Sequence, residues 1–255
     1  MKSILIETTN VKKANNMVRR MQMKKGADMT LIYGHPGTGK SHYAKKNFAP
    51  QGWGYYRIET METPKSFLRE IYRSLSYEYS GRENSIKGDG AAMAKAVIDL
   101  FQDVTYQREQ TNSGTPLIFV IDEINLAIQH RKWQIIELIR DFRDIADAKI
   151  IMIGEEDTKK RLEKYNSHFF NRCSNFCEFD IASKEDMTTI ISKTMEIQCD
   201  KEVAAMLVQR ANGSLHHLEV LIKEMEQIAI MNGLNTIGVK DIVISTSALR
   251  SDNEQ

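Results

Sequence analysis

Eight consecutive residues carry the first legible chemistry. Gly34-His35-Pro36-Gly37-Thr38-Gly39-Lys40-Ser41 reads G-x-x-x-x-G-K-S, with His42 directly behind it. Glycine at positions 34, 37 and 39 lets the backbone turn tightly and bring its N–H groups up to phosphate oxygens. A helix starting behind such a loop adds partial positive charge at its N-terminus. In that setting the Lys40 ammonium reaches the β- and γ-phosphates of a nucleoside triphosphate, and the Ser41 hydroxyl is a ligand for Mg2+. A second cluster lies about 80 residues further on, where Leu117-Ile118-Phe119-Val120-Ile121 runs into Asp122-Glu123. Carboxylates at the carboxyl end of a buried strand stand where ligands bind in parallel sheets. There Asp122 would hold the Mg2+ shell and Glu123 would orient and activate an attacking water. Together these groups predict hydrolysis of ATP with Mg2+.

Both clusters need strands that end where they begin. Residues 29–33 are a short apolar run before the loop and residues 43–47 a helical stretch after it, giving strand, loop and helix. Residues 53–58 predict a second strand. Thr63-Pro64 opens a helix in which Phe67, Leu68, Ile71, Tyr72 and Leu75 recur at helical spacing. Another helix is predicted over 91–106, between polar loops at 79–89 and 107–115. The run 117–121 has no polar alternation, which implies burial on both faces, and 148–154 repeats that pattern. Between them a helix is predicted over 127–145, with Ile135, Ile136, Leu138, Ile139 and Phe142 inward. Ahead of the loop, Thr9 or Asn10 caps a helix over 11–23 that Gly26 ends. Strands alternating with helices predict a doubly wound parallel α/β sheet, a P-loop NTPase core over residues 1–181 with 1–30 as its lead-in. Beyond 181 the apolar strand runs stop. Ser183 with Asp186 reads as a capping box opening 185–197, and 201–211 and 215–231 read as helices closed by Asn212-Gly213 and Asn232-Gly233. Residues 182–255 therefore predict a small α-helical lid.

Composition narrows the class. Of 255 residues 42% are hydrophobic and 27% charged, which is ordinary for a globular protein. No run of about 18 apolar residues predicts a membrane span, and the apolar stretch behind Met1 is too short for a signal peptide. Three cysteines, Cys173, Cys177 and Cys199, fit a reducing cytoplasm; the Cys-x-x-x-Cys pair lacks a further ligand pair at metal-binding spacing. A cytoplasmic protein without a membrane partner is the expectation. Net charge is only +1, yet residues 1–30 hold seven Lys/Arg against two acids, while 182–255 hold seven against eleven. Two readings stand: ordinary surface variation, or a basic N-terminal face that meets nucleic acid.

The loop, the Asp-Glu strand end and the C-terminal helices together resemble the AAA+ ATPases. Within them the chain is most similar to the phage Mu B (MuB) transposition ATPases and, more broadly, to the TnsC, IstB and ExeA-like group. The resemblance extends over most of the chain. Glu7-Thr8-Thr9-Asn10-Val11-Lys12 resembles the family's lead-in segment near the adenine, which implies Asn10 and Val11 as ATP contacts. Ile153-Gly154-Glu155 lies where sensor 1 ends its strand. Phe169-Phe170-Asn171-Arg172-Cys173 resembles the F-x-R-hydrophobic segment, and Asn212-Gly213-Ser214-Leu215-His216 resembles the start of sensor 2. Glu155 stands where a neutral polar group is common and His216 where arginine is, which implies slow or partner-dependent hydrolysis. Arg172 has two readings, a trans-acting arginine that reaches a neighbouring subunit's γ-phosphate or a structural salt bridge. The resemblance further implies a filament or ring that tracks the backbone of double-stranded DNA, with Lys65, Arg131 and Lys132 as phosphate contacts or as solvated charges. The partner it implies is a transposase (MuA-like). A helicase-loader-like ATPase and a nucleotide-gated protein-interaction switch are the alternatives.

Overall fold

The computed structural model describes residues 5–48, 54–111, 117–128 and 133–241. These form two compact units. The larger comprises residues 12–35 and 40–179, and the smaller comprises residues 5–11, Pro36–Gly39 and residues 180–241. The predicted division at 181 is a single cut, whereas the smaller unit also takes in the first part of the lead-in, residues 5–11, and the middle of the glycine loop.

The larger unit is the expected α/β layer structure. Its five strands are β1 (Asp28–Gly34), β2 (Gly54–Arg57), β3 (Ile118–Asp122), β4 (Lys149–Ile153) and β5 (Asn175–Phe179). All pair in parallel, in the order β2-β3-β4-β1-β5. Every residue of β1, β3 and β4 is buried, as strands covered on both faces must be. Parallel pairing puts the carboxyl ends Gly34, Asp122 and Ile153 on one edge of the sheet. The helices are α1 (Thr9–Met23), α2 (Lys40–Phe48), α3 (Pro64–Ser80), α4 (Gly90–Gln110), α5 (Trp133–Ile145), α6 (Thr158–Tyr165) and α7 (Ser167–Phe170). Against β3, helices α3, α4 and α5 build an aromatic core. Phe101 lies 5.6 Å from Phe119 and 5.2 Å from Phe142, centroid to centroid, and Phe67 stacks on Phe142 at 6.3 Å.

Local chemistry sets the helix ends. Thr63 caps α3 through a capping box with Ser66, and Pro64 occupies its first turn. Thr8, rather than Thr9 or Asn10, caps α1: its hydroxyl accepts the Val11 N–H at 3.3 Å. At the other end the Lys149 ammonium donates to the Met21 carbonyl at 2.8 Å and to that of Lys24, tying α1 to the start of β4. The helix expected over 127–145 is shorter. After β3 the chain forms a single 3-10 turn, Ile124–Leu126, whose Ile124 and following Ala127 are fully buried, and α5 begins at Trp133. Residues 129–132 lie outside the described chain. Helices α6 and α7 and strand β5 have no long apolar run to announce them; β5 buries only Cys177 and Phe179.

In the smaller unit, α8 (Lys184–Thr194), α9 (Lys201–Ala211) and α10 (Leu215–Met231) enclose Leu207, Leu218, Ile222 and Met225, and a two-stranded parallel ribbon joins β6 (Gln198–Cys199) to β7 (Thr236–Ile237). Helices α9 and α10 have their expected bounds, with Asn212 and Gly213 left-handed behind α9. Helix α8 stops three residues early, because the buried Glu226 carboxylate accepts the Glu196 N–H at 2.8 Å. Ser183 accepts the Asp186 N–H, but the reciprocal half of a capping box is missing: Asp186 instead accepts the Thr9 N–H at 3.1 and 3.2 Å. Among the described residues no helix is long and apolar enough to cross a membrane.

Phe142 joins the rings of α3 and α4 and is fully buried. Phe142→Ala should lower the unfolding free energy by ~3–5 kcal/mol, the usual cost of deleting a core aromatic ring. Denaturant titration of the variant against the parent protein would measure it.

Candidate active site

Strand β1 delivers the chain to Gly34 with φ 149°, and a Cβ there would lie 2.2 Å from the Phe179 carbonyl oxygen on β5. Only glycine fits that approach. The chain then enters α2 at Lys40, whose ammonium folds back to donate to the Gly34 and His35 carbonyls, each at 2.7 Å. Burial lowers the basicity of Lys40, and the charges of Asp122, Glu123, Glu155 and Glu156 oppose that shift. One cation thus feels the carboxylates that follow both β3 and β4. Ser41, half-buried, is the second residue of α2, and His42 beside it is exposed. The His35 imidazole meets the Glu156 carboxylate through Nδ1.

Asp122 closes β3 and is 1% exposed. Its Oδ2 accepts the Tyr55 O–H at 2.7 Å and its Oδ1 the Glu123 N–H at 2.9 Å, so both oxygens are oriented. Glu123 is left-handed, with φ 59° and ψ 39°, a conformation rare outside glycine and concentrated at functional sites. Its carboxylate accepts from Arg57 Nη2 at 2.9 Å. Tyr55 and Arg57 alternate along β2, where Arg57 pairs in register with Asp122. Neither was legible as a functional residue, because the signal is the strand order: β2 becomes relevant only once it lies beside β3.

The remaining expected residues of the α/β unit are more scattered in role. Glu155 follows β4 and is exposed. Arg172, between α7 and β5, donates from Nε to Asp144 Oδ2 at 2.6 Å and from Nη1 to the His168 carbonyl at 2.7 Å. Burial pushes the Asp144 carboxyl up, but hydrogen bonds and charge from Arg143 and Arg172 outweigh it and hold the group below the usual carboxylate range. Lys65 is exposed in the first turn of α3. Arg131 and Lys132 lie outside the described residues. Cys173 and Cys177 are buried and in no disulfide, and burial pushes the Cys173 thiol up to about 12.

In the smaller unit, Pro36–Gly39 is bound to the start of α10. The Gly37 carbonyl accepts the N–H groups of Leu215 at 2.8 Å and His216 at 3.2 Å. Gly37 has φ 78°, and a Cβ there would sit 2.6 Å from Ser214 Oγ; Gly39 has φ 89°. His216 is placed by its backbone, with its imidazole exposed. Asn10 pairs with Asp180 in both directions: Nδ2 donates to the Asp180 carbonyl at 2.7 Å, and Oδ1 accepts the Asp180 N–H at 3.2 Å. The Asn10 amide is therefore engaged with the start of the smaller unit's main segment, and Val11 beside it is buried.

These residues fit a Mg2+-nucleotide. Lys40 and Ser41 open α2, and Asp122 in the same unit is a buried carboxylate with both oxygens oriented. Among the described residues no group of three or more His, Cys, Asp or Glu side chains could hold a metal ion by itself.

Comparison with known proteins agrees with this geometry. The fold is similar to that of the Aeropyrum pernix ORC2 protein in ADPNP–ADP complexes, at TM-score 0.66 and 15% identity over 93% of this chain and 66% of that one. It is also similar to the Aeropyrum pernix ORC1 protein in complex with DNA, at TM-score 0.66 and 12% identity over 97% and 67%. A mutant of Thermotoga maritima RuvB gives TM-score 0.63 and 16% identity over 96% and 71%. The chain thus spans about two thirds of the length of the Aeropyrum proteins. No curated protein sequence matches it. The AAA domain profile matches residues 22–162, a span that includes the whole glycine loop and the Asp122-Glu123 pair. The chain belongs to the AAA domain family.

Proposed function

We propose that this protein is an ATP-dependent, largely sequence-nonspecific DNA-binding ATPase that assembles on target DNA and recruits or activates a transposase. The observation that carries the ATPase part is Glu123: a strained carboxylate beside the oriented Asp122, held by Arg57. In this reading Lys40 binds the β- and γ-phosphates, and Glu123 takes a proton from the attacking water. The water oxygen bonds to the γ-phosphorus, the bond to the β–γ bridging oxygen breaks, and ADP leaves with the electron pair. Ser41 and Asp122 would hold Mg2+, which neutralises charge on the phosphates. Arg57 keeps the Glu123 carboxylate occupied until a partner or DNA draws it off.

The DNA part is supported by the ORC1 protein solved in complex with DNA, a protein of similar fold. Lys65 and the pair Arg131 and Lys132 are the proposed phosphate contacts. The transposase partner rests on the motif order shared with the MuB group. Self-association would let Arg172 serve a neighbouring copy's γ-phosphate, but it must first exchange Asp144 for phosphate; its observed ion pair supports the structural role.

Three outcomes are expected. Glu123→Gln should reduce ATP turnover by ~10²–10⁴-fold, the range for loss of a general base, with nucleotide affinity retained in a fluorescent-analogue titration. Arg57→Ala should raise basal phosphate release and flatten its stimulation by DNA; an unchanged ratio with and without DNA would refute the latch. A random duplex should bind with ATP but not with ADP or without nucleotide, and binding should weaken between low and moderate salt. Copurification with a transposase or with a replicative helicase separates the recruiting role from helicase loading, and absence of any duplex binding leaves the protein-switch reading.

A further inference from the structure

Acidic and basic residues are almost equal in number in the whole chain, 34 against 35, so a surface with one sign only is informative. Helix α1 has fifteen residues and α2 has nine, and neither contains an aspartate or a glutamate. On α1 the exposed positions 12, 13, 16, 19 and 20 recur at helical spacing and read Lys, Lys, Asn, Arg, Arg. On α2 the exposed positions include Lys45 and Lys46. The two helices are neighbours: Tyr43 Oη on α2 donates to Asn15 Oδ1 on α1 at 2.9 Å, and Asn47 Nδ2 donates to Tyr43 Oη at 3.2 Å. Lys149 braces the far end of α1 from the sheet, so the helix presents its charges from a fixed position.

We infer that α1 and α2 form a second nucleic-acid contact, in which Lys12, Lys13, Arg19, Arg20, Lys45 and Lys46 neutralise phosphates of a DNA duplex. The inference rests on the DNA-binding reading above and adds the basic residues of α1 and α2 to it. Charge complementarity selects the ligand. Lys12 to Arg20 spans about 12 Å at helical rise, and B-DNA presents one charge per ~1.7 Å of axis, so several phosphates fall within reach. An anionic lipid surface fits less well: a helix lying in a membrane needs its apolar face free, and Val11, Ala14, Val18 and Met21 are buried in the protein. Without directional base contacts the binding is blind to sequence.

The test is fluorescence anisotropy of a random duplex across a salt series, in the nucleotide state that binds best. The parent protein is compared with Arg19→Ala/Arg20→Ala, with Lys45→Ala/Lys46→Ala and with Lys65→Ala. Each double variant should flatten the slope of log affinity against log salt by ~2, about one for each phosphate left without its cation. The melting temperature of both variants, and the DNA-free ATPase rate of Arg19→Ala/Arg20→Ala, should stay at parental values. If the parent binds and both double variants keep its slope, this surface is wrong and the DNA-binding reading stands. Should the parent bind no duplex in any nucleotide state, both fall. Loss of binding to phosphatidylserine vesicles, with duplex binding unchanged, would reassign the face to a lipid surface and overturn the inference.

Discussion

A carboxylate almost out of contact with water, Asp122, sets the terms for its surroundings. Burying such a charge unpaired is costly, and leaving its lone pairs unmet is more so. Each oxygen therefore has a donor, Tyr55 on β2 and the backbone of Glu123, and the Lys40 ammonium supplies opposite charge from α2. Tyr55 and Lys40 are remote from Asp122 in sequence, and only the fold makes them its neighbours. After β1 the chain crosses to the far edge of the sheet, lays down β2, and returns with β3 beside it. The phenol that orients the acid and the arginine that occupies its neighbour both come from that edge strand.

Glu123 combines a firm backbone with a loosely held side chain. Its left-handed conformation costs about 1–3 kcal/mol and is held by the bond to Asp122 and by the Leu126 N–H on its carbonyl. The Arg57 contact is different in kind. Arg57 is 61% exposed and Glu123 26%, and a pair so wetted is worth only about 0–1 kcal/mol. A modest competing charge suffices to part them. A carboxylate whose Cα is fixed and whose oxygens are weakly tethered can be engaged or withheld without refolding anything.

What the sequence made legible follows from where the physics is local. The glycine loop, β1, β3 and β4 are contiguous apolar or glycine-rich runs, and the structure places them as expected, with the parallel sheet they imply. Helices α9 and α10 carry their own stop signals in Asn-Gly pairs. The misses are non-local. Asp186 looked like half of a capping box and instead receives the Thr9 N–H, 177 residues away. Glu226 cuts α8 short from another helix. The Asn10 amide likewise takes its partner from far along the chain, the Asp180 backbone. Tyr55 and Arg57 lie in four residues with no pattern of their own. In each case a side chain's partner was decided by tertiary placement, which spacing along one chain does not encode.

The loop and α10 are joined through a single carbonyl group. A helix opens with N–H groups that lack partners. In α10 the first two are taken by the Gly37 carbonyl and the third by Ser214 Oγ, so the glycine loop is itself the cap of a 17-residue helix. The same peptide unit that offers the Gly37 carbonyl carries the Thr38 N–H. His216 is positioned by this backbone bond, so a different side chain at 216 would keep the helix capped and change only what the first turn presents.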